Sequence, residues 1–84
     1  MARIVYLARL RDAFGKSVEN VDLPRDIGTV AALLAWLRAR GGVWAQELAA
    51  GRAVRVAVNH DVAEATTPIG GDDEIALFPP VTGG

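Results

Sequence analysis

GTVAALLAWLR, residues 28–38, is the segment with the clearest helical pattern in this chain. Thr29 can cap the first free amides of a helix, and the cation of Arg38 suits its C-terminal end, where the helix dipole is negative. The apolar side chains recur three and four residues apart, as on one face of an α-helix, at Val30, Leu33, Leu34 and Leu37. We therefore expect one main amphipathic helix that packs on another layer of structure.

Two segments with strand periodicity precede this helix. Residues 3–9 alternate between two faces, although both faces are largely apolar. A turn is expected over residues 12–16 around Gly15. The alternation returns in residues 18–23 and stops at Pro24, because proline has no N–H to donate to a strand ladder.

The segments after the helix predict a short helix and two more strands. Trp44 and Leu48 lie four residues apart, which indicates a helical stretch over residues 43–50. Residues 53–59 alternate as a third strand, and a loop then leads to the last strand, residues 74–78. In that strand the alternation places Ile75 and Leu77 inward and Ala76 and Phe78 outward.

The order β-β-α-(short helix)-β-β predicts an α+β fold in which the main helix covers one face of a mixed sheet. A ubiquitin-like β-grasp is the simplest architecture with this order, since a ferredoxin-like fold would need a second full helix between strands. We expect one domain over residues 1–78 and an extended C-terminal tail over residues 79–84.

Composition excludes several classes of protein. The chain has 84 residues, no cysteine and a net charge of −1, which leaves no disulfide, thiolate metal site or cysteine nucleophile and argues against a nucleic-acid partner. No segment approaches the roughly 20 apolar residues of a membrane span, so a cytoplasmic protein is expected. Charge is uneven, because residues 1–40 hold seven cations and four acids while residues 41–84 hold two and six.

No conventional active site can be assembled from the body of the domain. His60 has no second ligand type beside it and is expected to be an exposed loop residue. The acidic run Asp72-Asp73-Glu74 is typical of a solvated turn. Gly41-Gly42 and Gly70-Gly71 lack the context of a phosphate-binding loop. We therefore expect no metal and no bound cofactor.

The tail is stiff and extended, and its functional group is expected to be its own terminal carboxylate. Pro79-Pro80 stiffen the chain as it leaves the sheet, and Val81-Thr82 are β-branched and prefer extension. Gly83-Gly84 carry no side chains and can enter a narrow channel. From Pro79 to Gly84 the reach is about 20 Å. A terminal carboxylate becomes reactive once it attacks the α-phosphate of ATP and forms an acyl-adenylate.

The chain resembles the sulfur carriers that form the small subunit of molybdopterin synthase. The resemblance covers the whole chain, and the ending FPPVTGG is its most specific part. It also includes the opening strand followed by Ala8 and Arg11, the helix after Thr29, and the strand that ends at Val58-Asn59. The acidic turn departs slightly, because it contains Gly70-Gly71 rather than a single glycine.

The resemblance implies a specific chemistry and two protein partners. An E1-like enzyme would use ATP to adenylate Gly84, which would then become a thiocarboxylate. The tail, Pro79 to Gly84, would enter the large synthase subunit of a heterotetramer and give its sulfur to cyclic pyranopterin monophosphate. Such a subunit donates sulfur within an enzyme complex and has no active site of its own. Leu7, Val62 and Phe78 could form an exposed apolar partner surface, with Arg11 adding a salt bridge.

Three alternatives remain open from the sequence. The chain could carry sulfur for another pathway, such as thiazole synthesis, or it could be a ubiquitin-like modifier joined to lysines through Gly84. It could also be an interaction domain whose tail has no role. Trp36 and Trp44 are expected to serve only in packing.

Overall fold

A computed structural model describes residues 1–80 of the chain and shows one mixed sheet over which three helices pack. The five strands lie in the order β2-β1-β5-β3-β4, with β1 and β5 parallel at the centre and the other pairs antiparallel. The elements, in chain order, are β1 (Ala2–Tyr6), α1 (Arg9–Phe14), β2 (Val18–Val21), α2 (Val30–Arg38), α3 (Gly42–Glu47), β3 (Arg55–Val58), β4 (Asp61–Ala63) and β5 (Glu74–Phe78).

The main helix, α2, forms as its sequence pattern predicts. The Ala32 N–H donates to Thr29 Oγ1 over 3.2 Å, so Thr29 caps the helix. Leu33 and Leu37 are fully buried against the sheet. Each such side chain contributes about 1.5–3 kcal/mol relative to an exposed position. The stripe of apolar residues therefore fixes which face of α2 meets the sheet.

The hydrophobic core fills the space between the helices and one face of the sheet. Alternate residues of the strands point into it, and they include the fully buried Ile4, Tyr6, Ile75 and Leu77. Within residues 1–80 no buried side-chain nitrogen or oxygen lacks a hydrogen-bond partner. The inward positions predicted for β5, Ile75 and Leu77, are confirmed.

The first strand is shorter than predicted, and the segment after it is a helix. β1 ends at Tyr6, and α1 occupies part of the segment predicted as strand and turn. Leu10 and Phe14, four residues apart, are both buried, so tertiary packing stabilises a helix too short to form alone. Gly15 ends it with a φ of 71°, a conformation that glycine adopts at little cost.

A short strand, β4, lies where the sequence predicts a loop. Asn59 and His60 have φ values of 50° and 74°, and they form the two-residue turn that joins β3 to β4. Such turns need positive φ at both central positions, and asparagine is favoured there. Val62 therefore lies on β4 opposite Ala57, and its predicted place in a loop is wrong. With three residues, β4 is too short to show a period in the sequence.

Candidate functional site

The sheet face opposite the helices carries a row of apolar residues that crosses all five strands. Val5 pairs with Val18 on one side and with Ala76 on the other. Ala57 pairs with Ala76 and with Val62, which completes the row. No helix in residues 1–80 covers this face, and the side chain of Val62 is 71% exposed. We call this row, together with Leu7 and Phe78, the open-face patch.

Leu7 and Phe78 lie at the end of the sheet where the tail begins. The Leu7 N–H donates to the carbonyl of Leu77 over 3.0 Å, so the backbone runs beside β5 past the end of β1. Leu7 is 42% exposed, and Phe78 is half-buried and outward, as predicted. Pro79 and Pro80 follow β5 outside any helix or strand.

The remaining tail positions lie outside the described residues. These are the predicted insertion positions Val81, Thr82 and Gly83 and the predicted reactive position Gly84. Their proposed roles stay predictions. Pro79 and Pro80, at the root of the tail, directly follow Phe78 and so lie next to the open-face patch.

Sequence reasoning identified only part of this face. Leu7, Val62 and Phe78 were expected to be exposed; Leu7 and Val62 are, whereas Phe78 is half-buried, and all three lie on or beside one sheet face. The sequence did not single out Val5 and Val18. The one available signal was the first strand, which is apolar on both faces, because an uncovered strand normally has a polar outer face.

Arg11, the predicted salt-bridge residue, lies on α1 rather than on the open face. It is exposed, and its Nε lies 3.8 Å from Asp12 Oδ1 in the same helix. Since α1 buries Leu10 and Phe14 toward the core, Arg11 lies on the helix side of the molecule. Its role toward a partner stays a prediction.

A polar cluster joins β1, β2 and the segment after α2. The Tyr6 hydroxyl donates to Glu19 over 2.8 Å, and Arg40 donates to both carboxylate oxygens over 3.0 and 2.8 Å. The Arg40 hydrogen bonds lower the pKa of Glu19, and burial together with Glu19 raises the pKa of Tyr6. The Arg40 guanidinium also lies over the Trp44 ring, 4.5 Å from its centre. Every group has a partner, so we assign this cluster to stability.

The tryptophans serve in packing, as predicted. Trp44 stacks on Phe14 with ring centres 3.9 Å apart, and Trp36 packs against the core. Both also lie beneath Arg40. The Arg40 guanidinium therefore covers part of each ring.

The residues at the far end of the sheet support a turn rather than a site. His60 has an 87% exposed side chain, and its Nε2 lies 3.2 Å from Glu74 Oε2. Hydrogen bonds from the Asn59 amide and the Gly70 N–H lower the pKa of Asp73. Within residues 1–80 no three metal-ligating side chains of the His, Cys, Asp or Glu type come together.

None of the helices in the described part of the chain is long and apolar enough to cross a membrane.

Comparison with known proteins gives the chain relatives over its whole length. The model of the ThiS family matches residues 4–84. The molybdopterin synthase sulfur carrier subunit of Haemophilus influenzae is 34% identical over 84 residues, which cover all of both chains.

Two solved structures show the same ubiquitin-like β-grasp. SAMP1, the small archaeal modifier protein 1 of Haloferax volcanii, is 26% identical with a TM-score of 0.71 and covers 99% of this chain and 98% of its own. A chain in the complex of subunits 1 and 2 of the Helicobacter pylori molybdopterin-converting factor is 18% identical with a TM-score of 0.65, covering 99% and 97%. The predicted fold is confirmed, and since the family model spans nearly every residue, the chain belongs to the ThiS family.

Proposed function

We propose that this chain is the sulfur-carrier small subunit of a molybdopterin synthase and that Gly84 is its reactive residue. The observation that carries the proposal is the full-length similarity to a relative of that name, since the alignment covers all of both chains and so includes Gly84. The open-face patch beside the root of the tail supports it, because a carrier needs a surface by which its partners hold it.

The chemistry takes place at the terminal carboxylate. A carboxylate oxygen attacks the α-phosphorus of ATP on an E1-like activating enzyme, and pyrophosphate leaves. Hydrosulfide, as the sulfur nucleophile, then attacks the acyl carbon of the acyl-adenylate and displaces AMP, which leaves a thiocarboxylate on Gly84. The tail, Pro79 to Gly84, enters the large synthase subunit, where the thiocarboxylate sulfur bonds to cyclic pyranopterin monophosphate. Water then cleaves the bond between that sulfur and the Gly84 carbonyl carbon, which restores the carboxylate. The chain binds no cofactor, and ATP is used only by the activating enzyme.

The partners follow from this cycle. The activating enzyme and the large synthase subunit use the open-face patch in turn, so neither interface is permanent. In the Helicobacter pylori structure, subunits 1 and 2 of the converting factor form a complex. We propose the same pairing here, in a cytoplasmic heterotetramer with two copies of each subunit.

Mass spectrometry of the C-terminal peptide tests the proposal directly. With ATP, the activating enzyme and a sulfur source, the protein gains the mass of one oxygen-to-sulfur exchange at Gly84. Deletion of Gly84 abolishes that gain. His60→Ala is the matched control, because His60 lies at the far end of the sheet, and it converts as the wild type does. Molybdopterin formation by the truncated protein would refute the proposal.

A second candidate function is protein modification, which the likeness to SAMP1 favours. Both functions begin with the same acyl-adenylate and differ in the nucleophile, which is sulfur in one and a lysine amine in the other. Gly84 recovered mainly in isopeptide bonds to target lysines would establish the modifier function. Gly84 recovered mainly as a thiocarboxylate would establish the carrier function.

A further inference from the structure

We propose that Arg9, Arg52 and Arg55 form a basic collar around the root of the tail and that it fits an acidic rim on the large synthase subunit. This inference rests on the proposed function, because insertion of the tail brings its root against the rim of the opening that receives it.

Arg55 forms the open-face side of the collar. It is the β3 residue paired with Phe78 on β5, so both side chains lie on the same sheet face. Arg55 is exposed, and among residues 1–80 no carboxylate lies within ion-pair distance of its guanidinium. Its charge is therefore available to a partner beside the last residue of the strand.

Arg9 and Arg52 form the helix side of the collar. Arg9 follows β1, and its guanidinium donates to the carbonyl of Ala53, just before β3, over 3.4 Å. β5 lies between β1 and β3, so this hydrogen bond joins the two segments that flank the end of β5. Arg9 and Arg52 both donate to Glu47, over 3.1 and 3.0 Å.

Glu47 holds these two arginines in place and neutralises only one of their two charges. The hydrogen bond from Arg9, and then that from Arg52, lower the pKa of Glu47, so it stays ionised. One carboxylate therefore balances two guanidinium groups. The hydrogen bonds to Glu47 also hold the side chains of Arg9 and Arg52 in place before binding. Binding therefore costs less rotamer entropy than it would for two free arginines.

The two ends of the sheet carry opposite charge. The segments at the tail end hold five cations and three acids, which are Arg9, Arg11, Lys16, Arg52 and Arg55 against Asp12, Glu47 and Glu64. The other end holds Asp22, Asp26, Asp61, Asp72, Asp73 and Glu74 against Arg3, Arg25 and the N-terminal amine. An acidic rim is attracted to the first end and repelled by the second, so the field orients the chain with its tail toward the partner.

Association kinetics with the large synthase subunit test the collar. We expect Arg55→Glu to slow association about fivefold at low salt, with little change in dissociation, because rim charges act on encounter. Arg52→Gln should slow it about twofold. Added salt should shrink both differences, because it screens exposed charges. Arg25→Glu is the matched control, since it makes the same charge change in the loop after β2, whose end pairs with the start of β1.

The possible results separate the collar from the proposed function. Equal association rates for Arg55→Glu and Arg25→Glu would refute the collar while wild-type binding upheld the carrier function. If Arg55→Glu only dissociated faster, and by the same factor at every salt concentration, the collar would also be refuted. Arg55 would then be a short-range contact rather than a charge that steers association. Wild-type protein that does not bind the large subunit at all would overturn both.

Discussion

Leu77 and Phe78 are neighbours on β5 that point to opposite faces, and substituting each with alanine should separate folding from binding. Leu77 is fully buried under the helices. Leu77→Ala should therefore lower the free energy of unfolding by about 2–5 kcal/mol. A domain of this size has about 4–12 kcal/mol in total, so this loss is severe.

Phe78 lies on the uncovered face and is half-buried, so Phe78→Ala should lower the free energy of unfolding by only about 1 kcal/mol. Its loss from the open-face patch, where it is the large aromatic side chain beside the root of the tail, should weaken binding by about 2 kcal/mol or more, which is roughly 30-fold in the dissociation constant.

Urea unfolding followed by circular dichroism, and calorimetric titration with the large synthase subunit, measure the two quantities on the same samples. The opposite pattern, in which Phe78→Ala unfolds the protein more than it weakens binding, would place Phe78 in the core. The open-face patch would then lose its main residue as a docking surface, and the reasoning would fail.

Three further predictions follow from single contacts. Glu19→Gln should lower the free energy of unfolding by about 1–2 kcal/mol at pH 7, measured by urea denaturation, because the charge-assisted bonds from Arg40 are lost. Arg40 lowers the pKa of Glu19 in the folded state, so the stabilisation by ionised Glu19 is present above its unfolded-state pKa of 4.5 and is lost as the pH falls through its folded-state pKa. The difference in unfolding free energy between wild type and Glu19→Gln should therefore disappear in acid. Thr29→Ala should cost about 1 kcal/mol in the same assay, because the Ala32 N–H loses its capping partner. Val62→Lys should weaken binding to the large subunit at least tenfold while the melting temperature stays within about 2 °C, and an unchanged affinity would remove β4 from the interface.

The main helix and the last strand could be predicted because each has a complete periodic pattern of apolar residues within one continuous segment. Four apolar residues at helical spacing and a capping threonine specify α2, and the same pattern fixes its buried face. On β5, strict alternation places Ile75 inward and Phe78 outward. The role of the tail stays a prediction, since only Pro79 and Pro80 of its residues lie in the described part of the chain.

The short elements could not be predicted, because distant contacts determine them. α1 has six residues and forms because Leu10 and Phe14 pack into a core built by other segments. β4 has three residues and is stabilised by its antiparallel pairing with β3. For the same reason the sequence placed Val62 in a loop and did not identify Val18 as part of the open-face patch.

Charge shows most clearly why topology is needed to locate a site. Along the chain, the second half is acidic, with six acids against two cations, and charge counted along the sequence would pair that half with a basic partner surface. In the fold the acidic residues around Glu74 lie at the start of β5, one strand length away from the tail, while Arg52 and Arg55 come from the same half and lie at its root.

The position of β5 joins the fold to the proposed function. Because β5 is central, the tail leaves between the ends of β1 and β3, and both neighbours supply residues to its root. Leu7 comes from the β1 side and Arg55 from the β3 side. A last strand at the edge of the sheet would have a single neighbouring strand, and the root of the tail would then have residues of this chain on one side only. The parallel pairing of β1 with β5 thus places structured neighbours on both sides of the root of the tail, and a reactive group is best positioned from such a rigid base.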